Sequence, residues 1–215
     1  MNRLNLNNHV RFCEVEGQLV FLDLKADRYF SLPPEAQEAF VSLLRGESGG
    51  QQIEALCASG LLVDAPAGRP LAATFHTPPA NSFLEDGETG QGLGPVAEVL
   101  FLVLIARHAV QRKRLPRLLA SSLHVSGPAG RGPREKRDRA LGQFLRARRA
   151  VPVAPNCLYD SLALRRFLQR RSIPADLVIG TKLHPFAAHC WLQDGGTILN
   201  DSLAAARGFS PILIA

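Results

Sequence analysis

The chain has 215 residues, 46% of them hydrophobic and 20% charged, with a formal net charge of +6. This is the make-up of a globular chain with room for one large or two modest cores, and it excludes a disordered polymer. A membrane-spanning helix needs roughly 20 apolar residues; the longest apolar run, Val99 to Ala106, is much shorter, so it is expected to be core and no membrane insertion is expected.

Charge is unevenly spread. Residues 1–94 carry 6 basic and 12 acidic side chains, whereas residues 95–215 carry 19 basic and 7 acidic ones. Such asymmetry fits two domains, with a basic half that is either a solvated surface or the face that meets a polyanion. Met1-Asn2-Arg3-Leu4-Asn5 has no apolar stretch of the export type, which predicts a cytoplasmic protein. Cys13, Cys57, Cys157 and Cys190 form no C-x-x-C pair, arguing against a structural zinc site or a disulfide framework.

The first elements alternate with period two. Val10 to Val15 and Gln18 to Leu24 read as strands around a Glu16-Gly17 turn, and Arg28 to Leu32 as a third. Pro33-Pro34 open a helix with Ala36, Phe40, Leu43 and Leu44 as its apolar stripe. A second helix, about Gly50 to Ser59, carries Ile53, Leu56 and Cys57 and stops at Gly60. Leu61-Leu62-Val63 adds an extended segment. A three-stranded antiparallel sheet with helices, over residues 1–65, has too little core for more than a surface site, so binding is its natural work.

The run Val20-Phe21-Leu22-Asp23-Leu24-Lys25-Ala26-Asp27-Arg28-Tyr29-Phe30-Ser31-Leu32, followed by a helix, resembles the PqqD-like precursor-recognition domains of peptide-modifying systems. The resemblance implies a winged-helix-like fold that takes a leader peptide as an extra strand beside the third strand, against the last helix. Leader contacts are then expected on Arg28, Tyr29, Phe30 and Leu32 and on Ile53 and Leu56 of the facing helix. Core packing explains Phe30 or Leu32 equally well. A winged-helix DNA-binding module would look similar, but an acidic half lacks the Lys and Arg that phosphates require.

Pro, Gly, Ala, Thr and acidic residues then dominate, and residues 66–94 read as a linker by composition. The second domain, residues 95–215, opens with an apolar helix from about Pro95 to Leu119, broken near Pro116. A glycine- and proline-rich stretch, Gly127 to Pro133, precedes a basic helix from about Arg134 to Arg149. That helix turns Leu141, Phe144 and Leu145 to a core and its arginines to solvent. Residues 107–149 hold 13 of the 25 Lys and Arg, without the interleaved aromatics on which bases stack, so no nucleic acid is expected as a partner.

Val151-Pro152-Val153-Ala154-Pro155-Asn156 is extended, and apolar residues return at helical spacing from Leu158, so Cys157 sits in a first helical turn. Free amides and the dipole at that end favour a thiolate. Ala175 to Thr181 and Phe186 to Gln193 read as strands, the second turned by Asp194-Gly195-Gly196 into a third, Thr197 to Asn200. His189 and Trp191 share one face and Cys190 points to the other as a core residue. Asp201 ends the last strand, within reach of His189. A thiolate to attack a carbonyl, an imidazole to move the proton and a carboxylate to fix its tautomer are what thiol catalysis requires. His184, before a proline, and Asp194, in a turn, are second choices.

Asn156-Cys157-Leu158-Tyr159-Asp160-Ser161-Leu162, Ile173 to Gly180, Phe186 to Leu192 and Asn200-Asp201 together resemble the transglutaminase-like peptidases of lasso-peptide biosynthesis, the B proteins. The resemblance implies an α+β chain, with a PqqD-type domain fused ahead of a transglutaminase- or papain-like domain, in which Cys157, His189 and Asp201 are catalytic. It also implies a leader peptidase that cuts a lasso precursor between leader and core. No metal or cofactor is implied for this chain. ATP is used by a partner, an asparagine-synthetase-like cyclase that closes the ring. A transglutaminase or amidase that transfers the acyl group to an amine, and a non-catalytic precursor-binding or DNA-binding module, remain as alternatives. Of oxyanion donors, only the Cys157 amide is a candidate.

Overall fold

The computed structural model describes residues 4–47, 50–65, 67–72, 77–86, 94–112 and 134–215. Two compact units emerge, residues 1–75 and 76–215.

In the first unit, β2 (Val10–Val15), β3 (Gln18–Asp23) and β4 (Arg28–Ser31) form an antiparallel three-stranded sheet in that order. Glu16 and Gly17 both take positive φ, as a two-residue hairpin turn demands. The helices α1 (Pro34–Leu44) and α2 (Gln51–Ala58) follow. Phe40 meets Phe12 and Phe21 edge-on with ring centroids 5.2 Å apart, and Leu19, Ile53, Leu56 and Leu62 complete the core. A short β1 (Leu4–Leu6) pairs antiparallel with β5 (Leu62–Asp64); three residues are too few to show a period, and the sequence does not announce β1.

The residues expected at the leader site differ in exposure. Ile53 and Leu56 are only 8% and 5% exposed and pack inward. Arg28 is exposed, Tyr29, Phe30 and Leu32 are half-buried, and Phe30 stacks on Phe21 at 5.2 Å. Among the described residues β4 is an edge strand.

The second unit is built on a five-stranded sheet. Its strands are β6 (Asn81–Ser82), β7 (Asp176–Lys182), β8 (Ala187–Asp194), β9 (Thr197–Ile198) and β10 (Ser210–Ile214), in the order β10-β7-β8-β9-β6. All neighbours are antiparallel except β6 beside β9. The helices are α3 (Phe83–Asp86), α4 (Val96–Gln111), α5 (Arg134–Arg149), α6 (Cys157–Gln169) and α7 (Leu203–Arg207). Helix α6 lies on β7 and β8, and α4 and α5 pack against α6. Val178, Trp191, Ile198 and Ala206 form a separate cluster joined by Leu203, Phe209 and Ile214.

Several expectations change here. Residues 77–86, expected as linker, belong to the sheet unit: Ser82 and Phe83 are buried, and β6 pairs in parallel with β9. The run Val99 to Ala106 is core on one side only; Val99, Leu102, Val103 and Ala106 are buried, while Phe101, Leu104 and Ile105 are exposed, as the period of a surface helix requires. Helix α4 ends at Gln111, and the expected break near Pro116 and the stretch Gly127 to Pro133 fall outside the described residues. In α5, Arg137 and Arg148 turn inward to carboxylates. Strand β9 stops at Ile198, which leaves Asp201 in the loop before α7.

Candidate active site

The prolines of 152 and 155 keep the chain extended up to Asn156, whose side chain caps α6 by accepting from the amides of Leu158 and Tyr159, each at 3.1 Å. Asp160 reaches back to the Asn156 amide at 3.2 Å and accepts from Arg148 Nε at 2.8 Å. Arg148 also donates to the carbonyls of Val151 and Val153, so one arginine of α5 holds the extended run, the cap and the first turn together. Cys157 is thereby fixed at the first position of α6, the end at which helix amides and dipole favour an anion.

Opposite it, β8 brings His189. Its imidazole is hydrogen-bonded to the Cys157 side chain and, through Nε2, to Asp201 Oδ2 at 2.5 Å. With Nε2 committed to the carboxylate, Nδ1 is the ring nitrogen left for the sulfur. Trp191 stacks at 5.9 Å and Phe209 at 5.1 Å from the imidazole, apolar walls that limit water around it. Gly180 faces His189 in the register of β7 and β8. A Cβ there would stand 2.8 Å from that of Phe209 and 3.0 Å from the Trp191 ring, so glycine is what lets these aromatics close on the site.

Electrostatics follow the geometry. The His189 hydrogen bond, helped by its positive charge and by the amides of Cys190 and Leu158, overcomes burial and lowers the Cys157 thiol below its usual range. The hydrogen bond that His189 donates to Asp201, then that to Cys157, raises the imidazole to about 9 against the desolvation that opposes it. Burial pushes the Asp201 carboxyl up, but the bonds from His189 and the Ser202 amide win, and it is held below its ordinary value. Between the lowered thiol value and about 9 the pair is therefore a thiolate and an imidazolium.

Two further groups hold the three elements in place, and the sequence does not single them out. Asn200 Nδ2 donates to Ser161 Oγ at 2.9 Å, while its Oδ1 accepts the Leu192 amide at 2.7 Å. Ser161 Oγ in turn donates to the Cys190 carbonyl at 3.1 Å. The loop of Asp201, the helix of Cys157 and the strand of His189 are thus cross-linked by one amide and one hydroxyl. A polar residue one turn after Cys157, at an inward position, was the available signal for Ser161.

The second-choice residues stand apart from this cluster. Asp194 pairs with Arg137 at 2.6 Å, and His184 lies exposed in the turn between β7 and β8. Cys190 is buried and its thiol is raised by that burial, as suits a core residue. Among the described residues no group of three or more His, Cys, Asp or Glu could hold a metal ion, and no helix is long and apolar enough to cross a membrane.

The profile of the transglutaminase-like superfamily matches residues 101–214, which include Cys157, His189 and Asp201. The microcin J25-processing protein McjB of Escherichia coli is 47% identical over 47 residues, a stretch that covers 22% of this chain and 23% of that protein. No solved structure gives a significant match.

Proposed function

The chain belongs to the transglutaminase-like superfamily, and on that footing we propose that it is the leader peptidase of a lasso-peptide pathway, working in the cytoplasm where precursors are made. The observation that carries the reading is the hydrogen-bonded relay from Cys157 through His189 to Asp201 at the mouth of a helix. The similarity to a protein named for processing microcin J25 supports a peptide as substrate.

In this reading Cys157 Sγ attacks the carbonyl carbon of the bond between leader and core, and the Cys157 amide receives the oxyanion. His189 gives its proton to the departing core amine as the C–N bond breaks, leaving a thioester on the leader. His189 then takes a proton from water, whose oxygen attacks the thioester; the C–S bond breaks and the thiolate–imidazolium pair is restored. The leader binds along the open edge of β4, with Arg28, Tyr29, Phe30 and Leu32 beside it and the buried Ile53 and Leu56 as support beneath. The freed core amine passes to the ATP-using, asparagine-synthetase-like cyclase for ring closure.

The test is mass spectrometry of a lasso precursor incubated with the protein. Hydrolysis yields leader and core whose masses sum to the precursor plus one water. Addition of an amine to the leader would instead mark an acyl transferase. Cys157→Ala abolishes cleavage while leader affinity, measured by fluorescence anisotropy, stays within about twofold, since the nucleophile is not part of the binding edge. Cleavage at near wild-type rate by that variant would remove Cys157 as nucleophile.

A further inference from the structure

Asp201 orients His189, and what orients Asp201 lies far away in sequence. Its Oδ1 accepts the amide of Ser202 at 2.7 Å, leaving Oδ2 for His189. The carbonyl of the same Asp201–Ser202 peptide accepts the hydroxyl of Ser82 at 2.5 Å. One peptide plane is therefore held at both ends: its N–H by the carboxylate that does the orienting, its C=O by Ser82. Tilting that plane would carry the carboxylate with it.

Ser82 is suited to this. Its side chain is fully buried, and its oxygen accepts the Leu84 amide at 3.1 Å, which directs the hydroxyl proton to the carbonyl. The segment around it is fastened along its length. Gln193 Nε2 donates to the Thr77 carbonyl at 2.8 Å, and the amides of Ala80 and Asn81 donate to the Gly196 carbonyl. Asn81 and Ser82 register with Thr197 and Ile198. Beyond it, Glu85 accepts the Leu203 amide at 3.0 Å, so Ser82 and Glu85 bracket the loop of residue 201 from either side.

We propose that residues 77–86, which precede the stretch matched by the family profile, are a working part of the active site, and that Ser82 is the positioning residue that sets Asp201 against the imidazole. A buried serine that merely satisfies a carbonyl would contribute to stability alone. A positioning serine contributes to the basicity of His189, because the raised value of that imidazole rests first on its bond to Asp201.

The proposal builds on the peptidase reading, so its experiment pairs precursor cleavage with site-specific alkylation of Cys157 by iodoacetamide, which follows the thiolate–imidazolium pair whatever the substrate. Ser82→Ala is compared with wild type and with Ser82→Thr, which keeps the hydroxyl. In Ser82→Ala the upper inflection of both pH profiles moves down by at least about half a unit, and kcat falls about tenfold with KM within about twofold. Ser82→Thr restores both to within about threefold of wild type. Rates are referred to folded sites counted by burst titration, or by native mass spectrometry after alkylation, so loss of folded protein lowers amplitude only. Should the alanine variant not fold, Ser82→Cys, similar in size but a weak donor, is read through the cleavage profile in the same way. An unmoved inflection with wild-type kcat per folded site, and only a lower Tm, overturns the proposal. If wild type cleaves no precursor yet the alkylation inflection moves in Ser82→Ala, the positioning role of Ser82 stands and the substrate assignment falls.

Discussion

Cys157 and His189 shift each other in opposite directions, and the two shifts bound the pH range in which the pair is charged. The thiol ionises below its usual value and the imidazolium persists to about 9. For the proposed peptidase, the predicted cleavage rate rises with pH through the lowered thiol value and declines as pH passes about 9, where the proton needed by the leaving amine is lost. Stability has the same sign: the imidazolium contribution is complete below 6.5, its ordinary value, and is lost as pH rises through about 9. The Asp201 contribution is complete above its ordinary 3.8 and is lost as pH falls through the depressed folded value. Asp201→Asn keeps the shape but removes the charge; the alkaline limb of kcat then moves from about 9 toward 6.5, and kcat falls by roughly 10²- to 10⁴-fold. A limb that stays in place would show that the carboxylate does not set the imidazole.

At the scale of elements, the start of α6 is held by side chains that can be removed singly. Asn156→Ala deletes the cap on two amides and should cost about 1 kcal/mol, read as a shift of the denaturation midpoint. Arg148→Ala removes one donor each from Asp160 and from the carbonyls of Val151 and Val153 and should cost about 2 kcal/mol. Both should also reduce kcat more than KM, since the nucleophile moves with the turn; a change in stability alone would make them scaffold.

The same elements show what the sequence displays and what it hides. Prolines before Asn156 and helical spacing after it locate Cys157 without any fold, because a cap is local chemistry. Alternation likewise marks β2, β3, β7 and β8, and the Asp-Gly-Gly turn marks the hairpin that brings Asp201 back. Strands β1 and β6 are three and two residues long and exist through their partners, so no period reveals them. Arginines are usually exposed, and nothing near Arg137 or Arg148 tells that carboxylates 57 and 12 residues on will bury them. Proline and threonine made residues 77–86 resemble a linker, yet Ser82 is in the core because β9 offers it an edge.

For the whole molecule, the site depends on assembly of distant parts. Cys157 comes from a helix start, His189 from a central strand, Asp201 from a loop and Ser82 from a strand that precedes them all by a long way in sequence. Separately, none of these groups departs from ordinary behaviour: the lowered thiol exists only when folding brings the imidazole to it. The most direct test is therefore the alkylation rate of Cys157 at pH 6, followed by mass spectrometry, in the native protein and in the same protein unfolded in urea. The account predicts a native rate clearly above the unfolded one, because the lowered thiol of the folded site carries a larger thiolate fraction at that pH than a free cysteine does. Equal rates, with the folded state verified, would mean that no thiolate–imidazolium pair forms, and would contradict the catalytic assignment of Cys157 and His189.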